Sequence, residues 1–311
     1  MRAAVVHQPG ATPVLEQFAD PQPGPGVSVG TLLAASLNPL DLAFVNNQFP
    51  VRPVQPPCVA GYEAVVQFAD GTRRYVTAPP PPYGSLAELV PVREADAFPV
   101  PDGLDPALAA ALGVAGLAGW LALDYRAHVL PGQSVLVLGA GGAAGGLALQ
   151  SARALGAGLV VGAARGKALQ QAAALGPDAV VDLADEQALD AGLAAAAPGG
   201  FDVIVDFLWG ATAPHAINHA KSGATYVQVG SSAGDASTIA GTALRNKLLT
   251  LVGLGQFATS ADVRRAAYAQ LVSHALDGKI TMDLEQTRLE EISGTWERLK
   301  TGAPRKLVVT P

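Results

Sequence analysis

The residues best suited to chemistry lie in one short run. "GAGGAAGGLALQ" begins at Gly139, follows the apolar "SVLVL" and leads into a helix-like stretch ending "SARALGA". Five of its first eight residues are glycine. Glycine turns the backbone with positive φ and lets a ligand approach bare main chain. The helix that follows offers free amides and the positive end of its dipole to an anion. Strand, glycine corner and helix in that order form a dinucleotide-binding arrangement. Two registers fit, Gly139-x-x-Gly142-x-x-Gly145 and a G-x-G-x-x-G variant with Ala140 first. The predicted contacts to a pyrophosphate are Gly139, Gly141, Gly142, Ala143, Ala144 and Gly145. The rival reading is a tight strand–helix connection that binds nothing.

The next strand, "GLVVGA", discriminates between dinucleotides. An NAD site wants a carboxylate at its end, about twenty residues past the glycines, to bind the ribose diol. Here the chain reads Ala163, Ala164, Arg165, Gly166, Lys167. A guanidinium presents a planar fork of donors at fixed charge, which suits a 2′-phosphate. Arg165 and Lys167 therefore predict NADPH over NADH, against the plainer reading of two solvated residues opening a helix.

The elements that must position these groups follow from patterning. The first hundred residues are rich in proline and short strand-like runs, such as "AAVVH", "VSVGTLLAASL" and "RRYVTA", and read as an irregular β domain. After Pro106, continuous apolar strands alternate with helices near 143–155, 167–175, 185–196 and 211–221. That is the pattern of a parallel sheet covered on both faces. A long helix from about Ser260, a strand-like "ITMDLE", a short helix and "KLVVTP" close the chain. The final strand is too isolated for a core of its own, so it is expected to rejoin the first domain. The division predicted is 1–106 with 258–311 as one domain and 107–257 as an inserted nucleotide domain. Ligands sit at the carboxyl ends of parallel strands. Two such ends are Asp206–Trp209 and Gly230–Ser232. Phe207, Gly230, Ser231 and Ser232 are candidates for the cofactor's nicotinamide side, and Trp209 is a pocket wall or core. His215 and His219 lie four apart on the helix near 211–221, but with no third ligand evident they read as a solvated face.

Composition sets outer bounds. The chain has 311 residues, 15% of them charged, and a net charge of −6. Mild acidity argues against a nucleic-acid partner. One cysteine, Cys58, allows neither a disulfide framework nor a cysteine zinc cluster. "MRAAVVHQPG" does not read as a signal peptide. "ALAAALGVAGLAGWLAL" reads as a buried helix and not a membrane span. A cytoplasmic protein with no membrane partner is expected.

Across almost its whole length the chain resembles the medium-chain dehydrogenase/reductase superfamily, in its zinc-free quinone oxidoreductase branch. "SLNPLDLAF" is similar to that branch's Asn-Pro-x-Asp segment, "PPCVAGYEAVV" to its Pro-x-x-x-Gly-x-Glu segment, and "GSLAELVPV" to its Gly-x-x-Ala-Glu strand. "GVAGLAGWLAL", the glycine run and "LEEISGTWERLKTGAPRKLVVTP" resemble the helix before the nucleotide domain, its phosphate turn and the closing helix and strand. The resemblance implies an α/β protein. A Rossmann doubly wound parallel-sheet domain would be inserted in a GroES-like β domain, with NADPH in the cleft between them. It implies hydride transfer from nicotinamide C4 to a quinone or to an enone or enal. It also implies a homodimer formed through an edge strand, placed here near 247–254. In zinc-dependent members, ligands stand where this chain has Asn38, Tyr62 and, nearby, Val114, none of which suits zinc.

The site residues implied are Asn38, Asp41 and Tyr62. The Asn38 amide would donate to substrate or hold the nicotinamide ribose, or else form a turn before Pro39. Asp41 would orient backbone or a basic group, Tyr62 would offer a phenol or fill core, and Glu63 matches a structural carboxylate. Three departures thin the expected pocket, one of them a shortened segment after Glu63, from "AVVQFA" to "DGTRRYV". Phe49 stands where branch members often carry tyrosine, and Ala118 where threonine is frequent. Two alternatives follow, an enoyl-thioester reductase of a biosynthetic pathway and a catalytically silent NADPH-binding sensor or adaptor.

Overall fold

The computed structural model describes residues 1–48 and 55–311, so Phe49 lies outside the described residues. The chain divides into two compact units. One comprises Met1–Val114, Tyr268–Leu276 and Thr281–Pro311, the other Ala115–Ala267 and Asp277–Ile280.

The first unit is built on β-sheet. A three-stranded sheet holds Val14–Gln17, Arg2–Val6 and Cys58–Val59 in that order. A larger sheet runs Leu284–Arg288, Lys306–Thr310, Val27–Ser36, Glu63–Gln67, Arg73–Thr77 and Phe98–Pro99, with Leu89–Arg93 also on Val27–Ser36. The closing strand Lys306–Thr310 lies in this sheet. It lies antiparallel to Val27–Ser36, with Val309 opposite Ala35, and parallel to Leu284–Arg288. "ITMDLE" is only partly strand. Ile280 is instead buried, and pairing begins at Leu284, opposite Lys306. Valine, leucine and alanine from both sheets meet Trp296 of the helix Ile292–Thr301 in the core.

The second unit holds a six-stranded parallel sheet. Numbered within this unit, its strands are β1 (Ser134–Leu138), β2 (Leu159–Ala164), β3 (Ala179–Asp182), β4 (Phe201–Asp206), β5 (Ala220–Gln228) and β6 (Thr250–Gly253). Their spatial order is 3-2-1-4-5-6, with β3 and β6 at the edges. This is the doubly wound order of a dinucleotide-binding sheet, whose winding reverses between β1 and β4. Helices α1 (Ala143–Ala154), α2 (Lys167–Ala174), α3 (Glu186–Ala196), α4 (Thr212–Asn218) and α5 (Gly241–Asn246) connect the strands. β1 is buried along its whole length, as a strand covered on both faces must be.

Two expected boundaries move. The helix near 211–221 ends at Asn218, because the Phe201 amide takes the His219 carbonyl and Ala220 already pairs with Phe201 in the sheet. The edge strand near 247–254 narrows to Thr250–Gly253. Asn246 closes α5, and the Lys247 ammonium is tied back to the Ala220 carbonyl at 2.6 Å. The helical run Pro106–Arg126 is long and apolar enough to cross a bilayer, yet 83% of its most apolar window is buried inside the fold. It is a core helix.

Candidate dinucleotide site

The glycine corner joins β1 to α1, and each glycine serves a different need. Gly139 has φ +84°, the left-handed region that favours glycine. A Cβ on Gly145 would stand 2.1 Å from the Gly139 carbonyl oxygen, and one on Gly141 would stand 2.0 Å from the Ala168 carbonyl oxygen in α2. Those two glycines let the turn close on the helix behind it and on the start of its neighbour. Gly142 differs. Its missing Cβ would meet only the Gly139 oxygen, at 3.5 Å. It caps α1 with no side chain, and Gly142 and Ala143 are exposed. The amides of Ala143, Ala144 and Gly145 open the helix, where no preceding turn supplies carbonyls. The bare main chain at Gly142, at the positive end of a twelve-residue helix, fits a pyrophosphate.

At the end of β2 stand the two cations. Arg165 and Lys167 are exposed, flank Gly166 at φ +57°, and engage in no ion pair among the described residues. The turn itself is bound to this strand, since the Gly139 and Ala140 amides both donate to the Ala163 carbonyl, at 2.9 and 3.1 Å. Phosphate turn and cations therefore belong to one hydrogen-bonded corner.

On the other side of β1, the ends of β4 and β5 meet. The Phe207 amide donates to the Leu138 carbonyl, and the Ser232 hydroxyl to the Phe207 carbonyl at 3.0 Å. A Cβ on Gly230 would stand 2.8 Å from that same oxygen. Phe207, Gly230, Ser231 and Ser232 form one packed group. Asp206 is buried. Its Oδ1 accepts from the Leu208 and Trp209 amides and its Oδ2 from the Tyr226 hydroxyl. Burial pushes the Asp206 carboxyl above the usual range, against these bonds to its charged form.

The other candidates fall in the first unit. Asn38 is buried and its amide is engaged at both ends. Nδ2 donates to Glu63 Oε1 at 2.6 Å, and Oδ1 accepts from Lys306 Nζ at 2.5 Å. Its backbone amide donates to Asp41 Oδ2 at 2.7 Å, at the head of the helix Pro39–Val45. Glu63 Oε2 accepts from the Tyr75 hydroxyl and the Val114 amide. A Cβ on Gly113 would stand 2.2 Å from both this oxygen and the Tyr75 ring. Lys306 also donates to the Leu37 carbonyl. Burial pushes the Asp41 carboxyl up to about 7, against the Asn38 amide, and pulls the Lys306 ammonium down, against the nearby carboxylates. The Tyr62 ring is stacked on Phe44, with centroids 5.0 Å apart. Sequence reasoning missed Lys306. Its signal was a lysine opening the apolar strand "KLVVT", a charge that must find partners when the strand is buried.

His215 and His219 are partly exposed and share one partner. Their side chains are 24% and 18% exposed, and each ring nitrogen lies 3.1 Å from a different oxygen of Asp190. α3 brings that carboxylate to α4, a neighbour invisible along the chain. Among the described residues no group of three or more such side chains is arranged to hold a metal ion.

Residues 143–273 match the zinc-binding dehydrogenase family model, a run that contains the helix end of the phosphate turn but neither Asn38 nor Tyr62. A quinone oxidoreductase of Pongo abelii is 30% identical over 168 residues, 50% of each chain. The trans-enoyl reductase tazE of Aspergillus terreus is 27% identical over 181 residues, 50% of this chain and 59% of that one. The chain thus spans about half the length of the curated relatives it matches. The quinone oxidoreductase from Thermus thermophilus, crystallised also as its complex with NADPH, superposes over 100% of both chains with a TM-score of 0.83 at 26% identity. By these likenesses the chain resembles oxidoreductases of the medium-chain dehydrogenase/reductase superfamily and is similar to quinone oxidoreductases. Zinc does not fit the residues at the three positions where the resemblance puts its ligands. Asn38 presents an amide already spent on Lys306 and Glu63, Tyr62 a stacked phenol, and Val114 an aliphatic side chain.

Proposed function

We propose that the protein is a zinc-independent, NADPH-dependent reductase of quinones or α,β-unsaturated carbonyl compounds. The observation that carries this reading is the corner at Gly142. Bare main chain and the free end of α1 lie beside two exposed cations that no carboxylate among the described residues neutralises. The pyrophosphate would rest on Gly139–Gly145 and the 2′-phosphate on Arg165 and Lys167. Phe207 and Gly230–Ser232 would face the nicotinamide. When bound, the dinucleotide supplies a hydride to the β-carbon of a conjugated acceptor. The protein's part is to hold that geometry and to donate hydrogen bonds to the enolate oxygen that develops. We read Asn38 and Asp41 as positioning residues, because their polar atoms are held inside the fold. Tyr62 is the candidate donor toward substrate, with backbone amides and solvent as further proton sources. A homodimer through the β6 edge and a cytoplasmic setting complete the proposal.

Titration of NADPH and NADH against wild type and Arg165→Ala tests the cofactor assignment. Wild type should prefer NADPH, and the variant should lose that preference by about tenfold or more, the worth of a charge-assisted bond. Equal affinities in wild type would reject it. Stopped-flow oxidation of bound NADPH by a panel of quinones, enones and enals tests turnover. Binding without oxidation across the panel would favour a silent sensor.

The likeness to a trans-enoyl reductase supports a second reading, an enoyl-thioester reductase. It uses the same hydride addition to a conjugated β-carbon. Oxidation of NADPH by an enoyl thioester but by no quinone would select it.

A further inference from the structure

We infer that Asp206 and Tyr226 are positioning residues for the dinucleotide: together they hold the loop Phe207–Trp209 in the shape that walls its nicotinamide end. This role rests on the dinucleotide reading above. Asp206 closes β4, and Tyr226 lies inside β5; both side chains are fully buried. One carboxylate oxygen gathers the Leu208 and Trp209 amides, at 2.7 and 3.0 Å. The other takes the Tyr226 hydroxyl at 2.5 Å. The loop is thereby pinned to the neighbouring strand by a single group.

The pinned conformation is one the chain would not adopt unaided. Trp209 has φ +58°, in the left-handed region that a bulky side chain disfavours. Such strain persists where the surroundings over-determine it, and it clusters at functional sites. The loop faces both sides of the candidate site. Toward β1, Leu208 Cδ2 and Phe207 Cβ come within 3.1 and 3.3 Å of where a Cβ on Gly139 would sit. Toward β5, the Phe207 carbonyl accepts from Ser232, the Leu208 carbonyl accepts from Ala233, and Trp209 bridges to Gly234. Fixing two amides at Asp206 thus sets the wall of the glycine turn and the placement of Gly230–Ser232 together. Holding the sheet does not need this carboxylate, since β4 pairs with β1 and β5 along its backbone.

Calorimetric titration of the full-length protein with two probes tests the role. NADPH engages the whole site, whereas adenosine 2′,5′-bisphosphate engages only the end at Arg165. In Asp206→Ala, NADPH should bind about tenfold more weakly, the worth of roughly one lost anchoring bond. The bisphosphate should keep its wild-type affinity. Asp206→Asn keeps an acceptor for both amides, and Tyr226→Phe keeps the carboxylate. Each should recover most of the lost NADPH affinity. Asp202→Ala, at the opposite end of β4, removes bonds to Ser134 and Lys221. It should lower the melting temperature and leave both affinities unchanged.

Unchanged NADPH affinity in Asp206→Ala would overturn the role, as would parallel weakening of both probes or selective NADPH loss in Asp202→Ala. Should Asp206→Ala fail to fold, the comparison rests on Tyr226→Phe. It should then bind NADPH about twofold more weakly than wild type, within the smaller worth of one hydrogen bond, and no change would overturn the role. Wild type that binds neither probe would instead overturn the dinucleotide reading, and this role with it.

Discussion

Gly142 and Gly145 stand three residues apart in one turn, yet they answer to different constraints. At Gly145 a methyl group would be driven into the Gly139 carbonyl. Gly145→Ala should therefore destabilise the protein by about 1–3 kcal/mol or more, the usual cost of overpacking, read as a lower urea midpoint. At Gly142 the methyl group has space, and replacing a glycine cap by alanine costs about 1 kcal/mol or less. Gly142→Ala should stay folded and lose NADPH affinity by about tenfold, because the approach of a phosphate to main chain is what the methyl obstructs. Thermal melts paired with calorimetry separate the two. Normal binding by Gly142→Ala would deny this residue its place under the pyrophosphate. The motif was legible in the sequence. The division of labour within it was not, because it depends on which backbone passes within about 2–4 Å of each glycine.

The closing strand Lys306–Thr310 is more than an edge. It carries an ammonium into the interior of the first unit, where Asn38 and the Leu37 carbonyl receive it. Lys306→Met removes one partner of a buried charge network. It should cost about 3–5 kcal/mol, as breaking buried pairs does, seen as an early chemical unfolding midpoint. Asp41 adds a pH dependence. Its folded pKa of about 7 lies above the ordinary value near 3.9 for an unfolded chain. Between those values the folded state binds more proton than the unfolded state, so its contribution to stability falls as pH rises through the window and levels off above it. Asp41→Asn should flatten that part of the stability–pH profile, measured by urea unfolding from about pH 4 to 8. An unchanged slope would remove Asp41 as its source. Asn38 and Asp41 were found by motif. Their engagement with Lys306 was not, since 268 residues separate Asn38 from that amine.

At the scale of the whole molecule, the parallel sheet leaves β6 as an edge beside which the Leu248 and Leu251 side chains are 73% and 38% exposed. The run Leu248–Leu254 carries no charge, and an uncharged apolar edge is a template for pairing with a second strand. If the proposed homodimer forms there, Leu248→Lys with Leu251→Lys should shift wild-type dimer to monomer in analytical ultracentrifugation with secondary structure intact. A doubly substituted protein that sediments unchanged would place the interface elsewhere.

What the sequence determined was the class. Continuous apolar strands alternating with helices dictate a parallel sheet, and a glycine corner after its first strand leaves bare main chain at the start of a helix. Both signals are local, set by the periodicity and backbone freedom of neighbouring residues. Only the tertiary structure decided which polar groups are spent inside. Asn38 is closed off by Lys306 and Glu63, His215 of α4 and His219 just past its end are drawn to Asp190, and Asp206 is turned inward to Tyr226. A buried polar group must be satisfied wherever the fold brings a partner within reach, and that distance is not written along the chain.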